Sequence, residues 1–298
     1  MVLKMRSLLL IKITFLLVLT TPLAAYASFE TKATNAILVD ANTGTVLLEK
    51  EADTPMHPSS MSKLMTLYVL FEKLKSGAIK LDSTFTVSEK AWKMQGSKSF
   101  LPVGGQVKIE DLIRGIIIQS GNDACVVVAE GISGTEEKFA EHLNETAKRI
   151  GMKNSHFVNS TGWPDDNHLM TAKDLAVLAK RIINDFSEYY HYFSEKEFVF
   201  NKIKQPNRNL LLNRNIGADG LKTGHTERAG YGLAASAEKN GRRLIAVVNG
   251  LKSEKERADE TEKLLDYGFR EFENVNFFKS GEKIASAKVW FGKKKEVE

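Results

Sequence analysis

The chain has 298 residues, of which 43% are apolar and 27% charged. That is enough apolar side chain for one large core, or one core with a small appendage, and it excludes a largely disordered protein. The formal charge of +5 and isoelectric point near 9.0 argue poorly for a nucleic-acid partner. Lys4, Arg6 and Lys12 stand in a segment with the marks of a removable leader, and without them the excess falls to +2. The single cysteine, Cys125, excludes an intrachain disulfide, so packing has to carry stability. Within the apolar run 124–129 its thiol reads as a small buried side chain.

Lys4 and Arg6 precede an apolar run over 13–19, and small residues follow at Ala25 and Ala27. This is the pattern of a secretory signal peptide cut after Ala27, which sends the chain to the periplasm or cell envelope. Lys12 and Pro22 leave the apolar stretch well short of the roughly 20 residues a spanning helix needs. Residues 36–40 and 45–49 follow as two strands, with Asn42 and Gly44 supplying the tight turn between them. Pro58-Ser59-Ser60 then opens a helix over 61–75 that carries Leu64, Leu67, Tyr68 and Phe71 on one face, so Ser60 lies at a helix start.

Residues 77–108 offer only short strand-like pieces, around 85–87 and 106–108. A helix over 110–118 is interrupted by Ser120-Gly121-Asn122 and resumes over 123–132. A strongly amphipathic helix over 135–150 stops at Gly151, and another over 171–184 opens with Thr171 and Asp174 spaced as a capping box. A polar loop, 152–170, joins these two. Strands follow at 220–223, 230–237 and 243–249, and a helix over 254–268 closes the series.

Strands at both ends with helices between them predict an α+β domain over 28–270, in which the N-terminal hairpin joins the C-terminal strands in one antiparallel sheet flanked by helices. From about 271 the character changes. A turn and strand over 279–288, the apolar Val289-Trp290-Phe291 and the run Lys293-Lys294-Lys295 suggest the opening of a second, incomplete β unit over 271–298.

Three short motifs occur in order: Ser60-Met61-Ser62-Lys63, Ser120-Gly121-Asn122 and Lys222-Thr223-Gly224. Each alone is weak, because serines cap many helices and charged turns are common. Their combination has a chemical reason. Helical residues i and i+3 share a face, which brings the Lys63 amine to the Ser60 hydroxyl. A serine needs a base to become a nucleophile, and a lysine serves only when burial or a neighbouring cation lowers its pKa. Lys222 is the candidate for that second cation. Ser60 at the helix start also offers its backbone N–H to a developing oxyanion.

Ser120 and Asn122, on either side of a glycine, can point a hydroxyl and a carboxamide into one cleft, the first to relay a proton and the second to hold a substrate amide. Thr223 is placed to bond a carboxylate within the field of Lys222. Gly224 in a strand permits close approach of another backbone, which we expect to be a substrate strand along this edge.

The three motifs resemble those of the serine penicillin-recognising superfamily. The longer matches Pro58-Ser59-Ser60-Met61-Ser62-Lys63-Leu64-Met65-Thr66, Ser120-Gly121-Asn122-Asp123-Ala124 and Asp219-Gly220-Leu221-Lys222-Thr223-Gly224-His225-Thr226 resemble the low-molecular-weight D-Ala-D-Ala carboxypeptidases, over about residues 30–270.

The resemblance implies the DD-peptidase and β-lactamase-like fold and an acyl-enzyme on Ser60, activated by Lys63. Ser120 would shuttle protons, Asn122 position the peptide, and Lys222 and Thr223 recognise the terminal carboxylate. The backbone N–H groups of Ser60 and His225 would form the oxyanion hole, and Arg257 would assist with the carboxylate. The implied substrate is the peptidoglycan stem pentapeptide, with β-lactams as acylating inhibitors. No cofactor or metal is called for: His57, His142, His156, His168, His191 and His225 lack zinc-ligand spacing.

Two other readings are weighed against this one. A class A β-lactamase needs a loop glutamate for deacylation, and the loop from Gly162 to His168 has none, although Asp165 or His168 could assist. A silent homologue would bind wall peptides or β-lactams without turnover. Its motivation is length, since relatives of this kind usually continue into a complete C-terminal β domain and a membrane-binding helix, whereas this chain ends at Glu298 and leaves membrane attachment open.

Overall fold

In the computed structural model of the chain, residues 29–278, 281–293, 296 and 297 are described. The leader assigned to 1–27 lies outside them, as do Lys279, Lys294 and Lys295. The elements in order are β1 (Asn35–Asp40), β2 (Val46–Lys50), α1 (Lys63–Lys75), β3 (Thr84–Thr86), α2 (Glu89–Lys93), β4 (Gln106–Lys108), α3 (Ile109–Arg114), α4 (Asn122–Ser133), α5 (Glu136–Ile150) and α6 (Ala172–Asp185). There follow β5 (Glu197–Phe200), β6 (Ile203–Pro206), β7 (Ala218–Thr226), β8 (Gly230–Lys239), β9 (Arg242–Leu251) and α7 (Glu254–Glu271).

The central sheet runs β2-β1-β9-β8-β7, with every neighbour antiparallel. The N-terminal hairpin therefore docks on β9, as the order of strands and helices predicts. Gly44, at φ +81, supplies the left-handed residue of its turn, and the Asp40 carboxylate accepts from the N–H groups of Asn42 and Thr43. All six residues of β1 are buried, because helices cover both faces of the sheet. Ile37 and Val39 join the large core, whereas the α7 glycine, Gly268, packs against Leu38 and Leu244 on the opposite face. Strand β7 is left at the sheet edge, where a partner strand can be added.

Helix α1 departs from the predicted one-faced pattern. Every residue from Lys63 to Phe71 is buried, because α1 packs on α4, α5 and α6. An all-round apolar sequence is what such a central helix needs. Its first turn, Ser59–Ser62, is a 3₁₀ turn.

Thr135 and Thr171 cap α5 and α6 by accepting from the N–H groups of Lys138 and Asp174. The capping box at α6 is only half made, however. The Asp174 carboxylate takes the N–H groups of Lys153 and Asn154 and the Ser155 hydroxyl instead, which fastens the start of the polar loop. The strand-like pieces near 85 and 107 pair as β3 and β4. The β5–β6 hairpin was not foreseen. Beyond α7, pairing is confined to Ala287–Lys288 with Glu296–Val297, so the strand expected over 279–288 shrinks to its last two residues among those described. Phe277, Trp290 and Phe291 are exposed there.

Candidate active site

The turn that carries Ser60 packs directly against β7. A Cβ added to Gly224 would lie 2.9 Å from the Pro58 carbonyl oxygen and 3.2 Å from Ser59 Cβ, and Ser59 Oγ donates to Thr226 Oγ1 at 3.3 Å. This corrects the expectation for Gly224: the backbone it admits is that of the Ser60 turn rather than that of a substrate. Residues Lys222, Gly224 and Thr226 face the turn, and Thr223 and His225 face the other way, as strand alternation requires.

Lys63 Nζ lies 3.0 Å from Ser60 Oγ. It also donates to Asn122 Oδ1 at 2.8 Å and to the Thr161 carbonyl at 2.6 Å. The amine is wholly buried, and burial lowers its pKa to about 8. The buried Asp123 acts against that shift, and Arg208 acts with it. A neutral amine has two N–H bonds and one lone pair. With Asn122 and Thr161 taking the two hydrogens, the lone pair is left facing the Ser60 hydroxyl.

Arg208, which the sequence did not single out, is a cation that lowers the Lys63 pKa, and Lys222, to which the sequence pointed, shares a field with Lys63 as well. Lys222 is itself driven well below its ordinary value, first by burial and then by the charges of Lys63 and Arg208. Among the described residues its Nζ bonds only the neighbouring Thr223 carbonyl, at 3.1 Å. Arg208 donates to Ser97 Oγ at 2.8 Å, and Arg257 donates to the Arg208 carbonyl at 3.2 Å. Arg257 is buried, with its guanidinium 5.7 Å from the Tyr231 ring centre, and the exposed His225 ring stacks on the other partner of that pair, Tyr231, at 3.8 Å. Three cations thereby meet at one end of the site. Among the described residues no carboxylate is bonded to any of them.

Ser120 ends the α3 segment in the left-handed region, at φ +65, a conformation that costs a non-glycine residue on the order of 1 kcal/mol or more. Its hydroxyl is buried without a hydrogen-bond partner among the described residues. Strain and an unbonded hydroxyl together mark a side chain held for something other than the fold. Asn122 differs from expectation: both ends of its carboxamide are engaged, Oδ1 with Lys63 and Nδ2 with the Gln95 carbonyl at 2.7 Å. Gly121 is required by Ser99, whose hydroxyl occupies the space a Cβ would take. Asp123 holds the same segment by accepting from the N–H groups of Ser99 and Leu101. Cys125 is buried, and burial pushes its thiol up to about 12, so it stays protonated at neutral pH.

The polar loop supplies the Thr161 carbonyl. Asn159 Oδ1 gathers the N–H groups of Thr161, Gly162 and Trp163, and the left-handed Gly162, at φ +75, packs on the Ser59 carbonyl where no Cβ fits. His168 is buried and lies against Ser62, whereas the sequence offered it as either a solvated loop residue or an aid to deacylation. Arg208 and Thr161 were missed altogether. Thr161 acts through its backbone, which leaves no side-chain signal, and Arg208 has no fixed spacing to any motif.

An edge strand bearing Lys-Thr-Gly, packed against a turn bearing Ser-x-x-Lys, defines a serine hydrolase of the penicillin-recognising type. Comparison with known proteins narrows the class. The profile of the peptidase S11 family, D-alanyl-D-alanine carboxypeptidase, matches residues 21–253. The chain is 44% identical over 287 residues to the D-alanyl-D-alanine carboxypeptidase DacC of Escherichia coli, covering 93% of this chain and 72% of that one.

The crystal structure of penicillin binding protein 5 from Haemophilus influenzae superimposes with a TM-score of 0.86 at 42% identity, over 90% of this chain and 79% of that one. Penicillin binding protein 6B from Escherichia coli gives 0.81 at 40% identity, over 85% and 82%. The chain belongs to the D-alanyl-D-alanine carboxypeptidase family, and it is a serine carboxypeptidase.

Proposed function

We propose that the chain removes the terminal D-alanine from peptidoglycan stem pentapeptides through an acyl-enzyme on Ser60. The observation that carries this reading is the 3.0 Å contact between Lys63 Nζ and Ser60 Oγ, made by an amine whose pKa lies at about 8. Lys63 takes the Ser60 proton as Oγ attacks the carbonyl carbon of the penultimate D-alanine. The oxyanion forms against the backbone N–H groups of Ser60 and His225. The scissile C–N bond then breaks, and the leaving amine departs with a proton relayed from Lys63 through the Ser120 hydroxyl. Water later cleaves the Ser60 ester and frees the tetrapeptide.

Lys222, Thr223, Arg208 and Arg257 hold the carboxylate of the departing residue, with Arg208 added to the set on the strength of its position. Asn122 serves Lys63 first, as an orienter of its lone pair. The peptide lies along the free edge of β7. β-Lactams acylate the same serine, in keeping with the penicillin-binding relatives.

The catalytic unit spans 28–270, and 271–298 begins a further β unit. The charged and apolar pattern of the N-terminal segment supports export with cleavage after Ala27. Among the described residues no helix is long and apolar enough to cross a membrane. Release of D-alanine from a diacetyl-lysyl-D-Ala-D-Ala peptide tests the reading, with Ser60→Ala as control. Turnover by the wild type and none by the variant is expected, whereas equal turnover by both would remove Ser60 from the reaction.

A further inference from the structure

We infer that His168 is a positioning residue for the reaction, tying the loop that carries the Thr161 carbonyl to the turn that carries Ser60. The inference rests on the Ser60 and Lys63 assignment above. The tie is made by both ring nitrogens. Val158 N–H donates to Nδ1 at 3.3 Å, so the ring proton sits on Nε2, which is 2.7 Å from Ser62 Oγ and donates to it. Ser62 lies between Ser60 and Lys63, on the 3₁₀ turn itself. One imidazole therefore closes the 158–168 loop on itself and fastens it to the turn that carries the nucleophile.

Between these two anchor points the loop presents two carbonyls to α1. Ser160 O accepts from Thr66 Oγ1 and Thr161 O accepts from Lys63 Nζ, each at 2.6 Å. The second of these bonds holds one of the two hydrogens of the neutral Lys63 amine and so aims its lone pair at Ser60. The same carbonyl is one of the groups that enclose the Lys63 amine, and burial is the main cause of its low pKa. His168 touches neither Ser60 nor Lys63 through any bond. Its ring is 2% exposed and both nitrogens are occupied, which removes it from the role of activating a deacylating water.

The ring stays neutral through the working range. Burial drives its pKa to about 4, Asp165 opposes that, and His156, Lys63 and His57 add to it; the Phe157 ring packs edge-on against it. Loss of the ring should loosen the loop, admit water to Lys63 and raise the Lys63 pKa toward its ordinary value. Below that pKa the rate follows the neutral fraction of the amine, so each unit of upward shift is a tenfold loss at pH 7.

The test is the second-order rate of acylation of the full chain by a fluorescent penicillin between pH 5.5 and 10, for the wild type, His168→Ala, His168→Gln and Ser62→Ala. For His168→Ala we expect a limb moved up by about one unit and a rate at pH 7 lowered about 10-fold. His168→Gln retains an N–H for Ser62 and should recover most of the rate. Ser62→Ala leaves the loop residue in place and should shift the limb in the same direction, and it serves if His168→Ala does not fold. A folded His168→Ala or Ser62→Ala variant whose limb and rate stay within twofold of wild type overturns the inference, as does a loss of rate that vanishes when the assay is run well below the variant's melting temperature. Wild type that fails to label at Ser60 would instead refute the underlying reading.

Discussion

The two lysines of the site, Lys63 and Lys222, sit in the same pocket and live under opposite conditions. Lys63 is bonded on three sides, by Ser60, Asn122 and Thr161, and so has a fixed orientation before any substrate arrives. Among the described residues Lys222 has one bond, to its neighbour's carbonyl, and it shares its surroundings with Arg208 and Arg257. Both are buried and both titrate below their ordinary range. The contrast separates two tasks: one end of the pocket is organised around a lone pair, and the other concentrates positive charge at the edge of β7, where we propose that a terminal carboxylate binds.

If the lone-pair end is as described, Lys63→Ala should lower penicillin acylation by about 10³- to 10⁴-fold, the upper range for loss of a general base, with the far-ultraviolet circular dichroism spectrum unchanged. Retention of more than a tenth of the rate would give the base role to another group.

His168 sharpens the same end through stability. Its folded pKa of about 4 lies below the unfolded value, so between about pH 6.5 and 4 the unfolded chain binds a proton that the folded ring refuses. Unfolding free energy should fall across that window as pH drops, by up to about 3 kcal/mol, and His168→Gln should remove most of the slope in urea titrations run from pH 4 to 7.

The charged end makes a different prediction. Arg208→Ala should lower kcat/KM for D-Ala-D-Ala peptides by about 10- to 100-fold, the worth of a charged hydrogen bond, and should affect the corresponding methyl ester, which lacks the carboxylate, much less. Equal losses on acid and ester would assign Arg208 to the tuning of Lys63 alone. The smallest effect is expected at the seam between the two ends. Gly224→Ala presses a methyl group on the Pro58 carbonyl and should cost about 1 kcal/mol or somewhat more, read as a lowered melting temperature.

Much of this architecture is legible in the residues. Thr135, Thr171 and Gly151 mark helix ends because capping is local chemistry, and the joining of β1 to β9 follows from strands standing at the two ends of the chain. The β5–β6 hairpin escapes because its turn, Asn201-Lys202, puts both residues in the left-handed region, at φ +48 and +65, with a lysine where a glycine would announce it.

The motifs bring Lys63 to Ser60, Asn122 to Lys63 and Lys222 into the field of Lys63, since chemistry ties each to a fixed neighbour. What they do not deliver is created by folding. The Thr161 carbonyl has no identity at the level of side chains, Arg208 acts on Lys63 only through tertiary proximity, and the carboxamide of Asn122 turns inward because Gln95 and Lys63 claim both its ends. Gly224 was read as room for a ligand when the nearer demand came from Pro58.

The claim on which all of this depends is that a neutral Lys63 amine drives attack by Ser60. The direct measurement is the rate of penicillin adduct formation from pH 6 to 10, with the adduct located by mass spectrometry of tryptic peptides. The account predicts a single adduct on Ser60, forming about tenfold faster per pH unit up to about pH 8 and levelling off above it. An adduct on another residue, or a rate that does not change between pH 6 and 9, would contradict it.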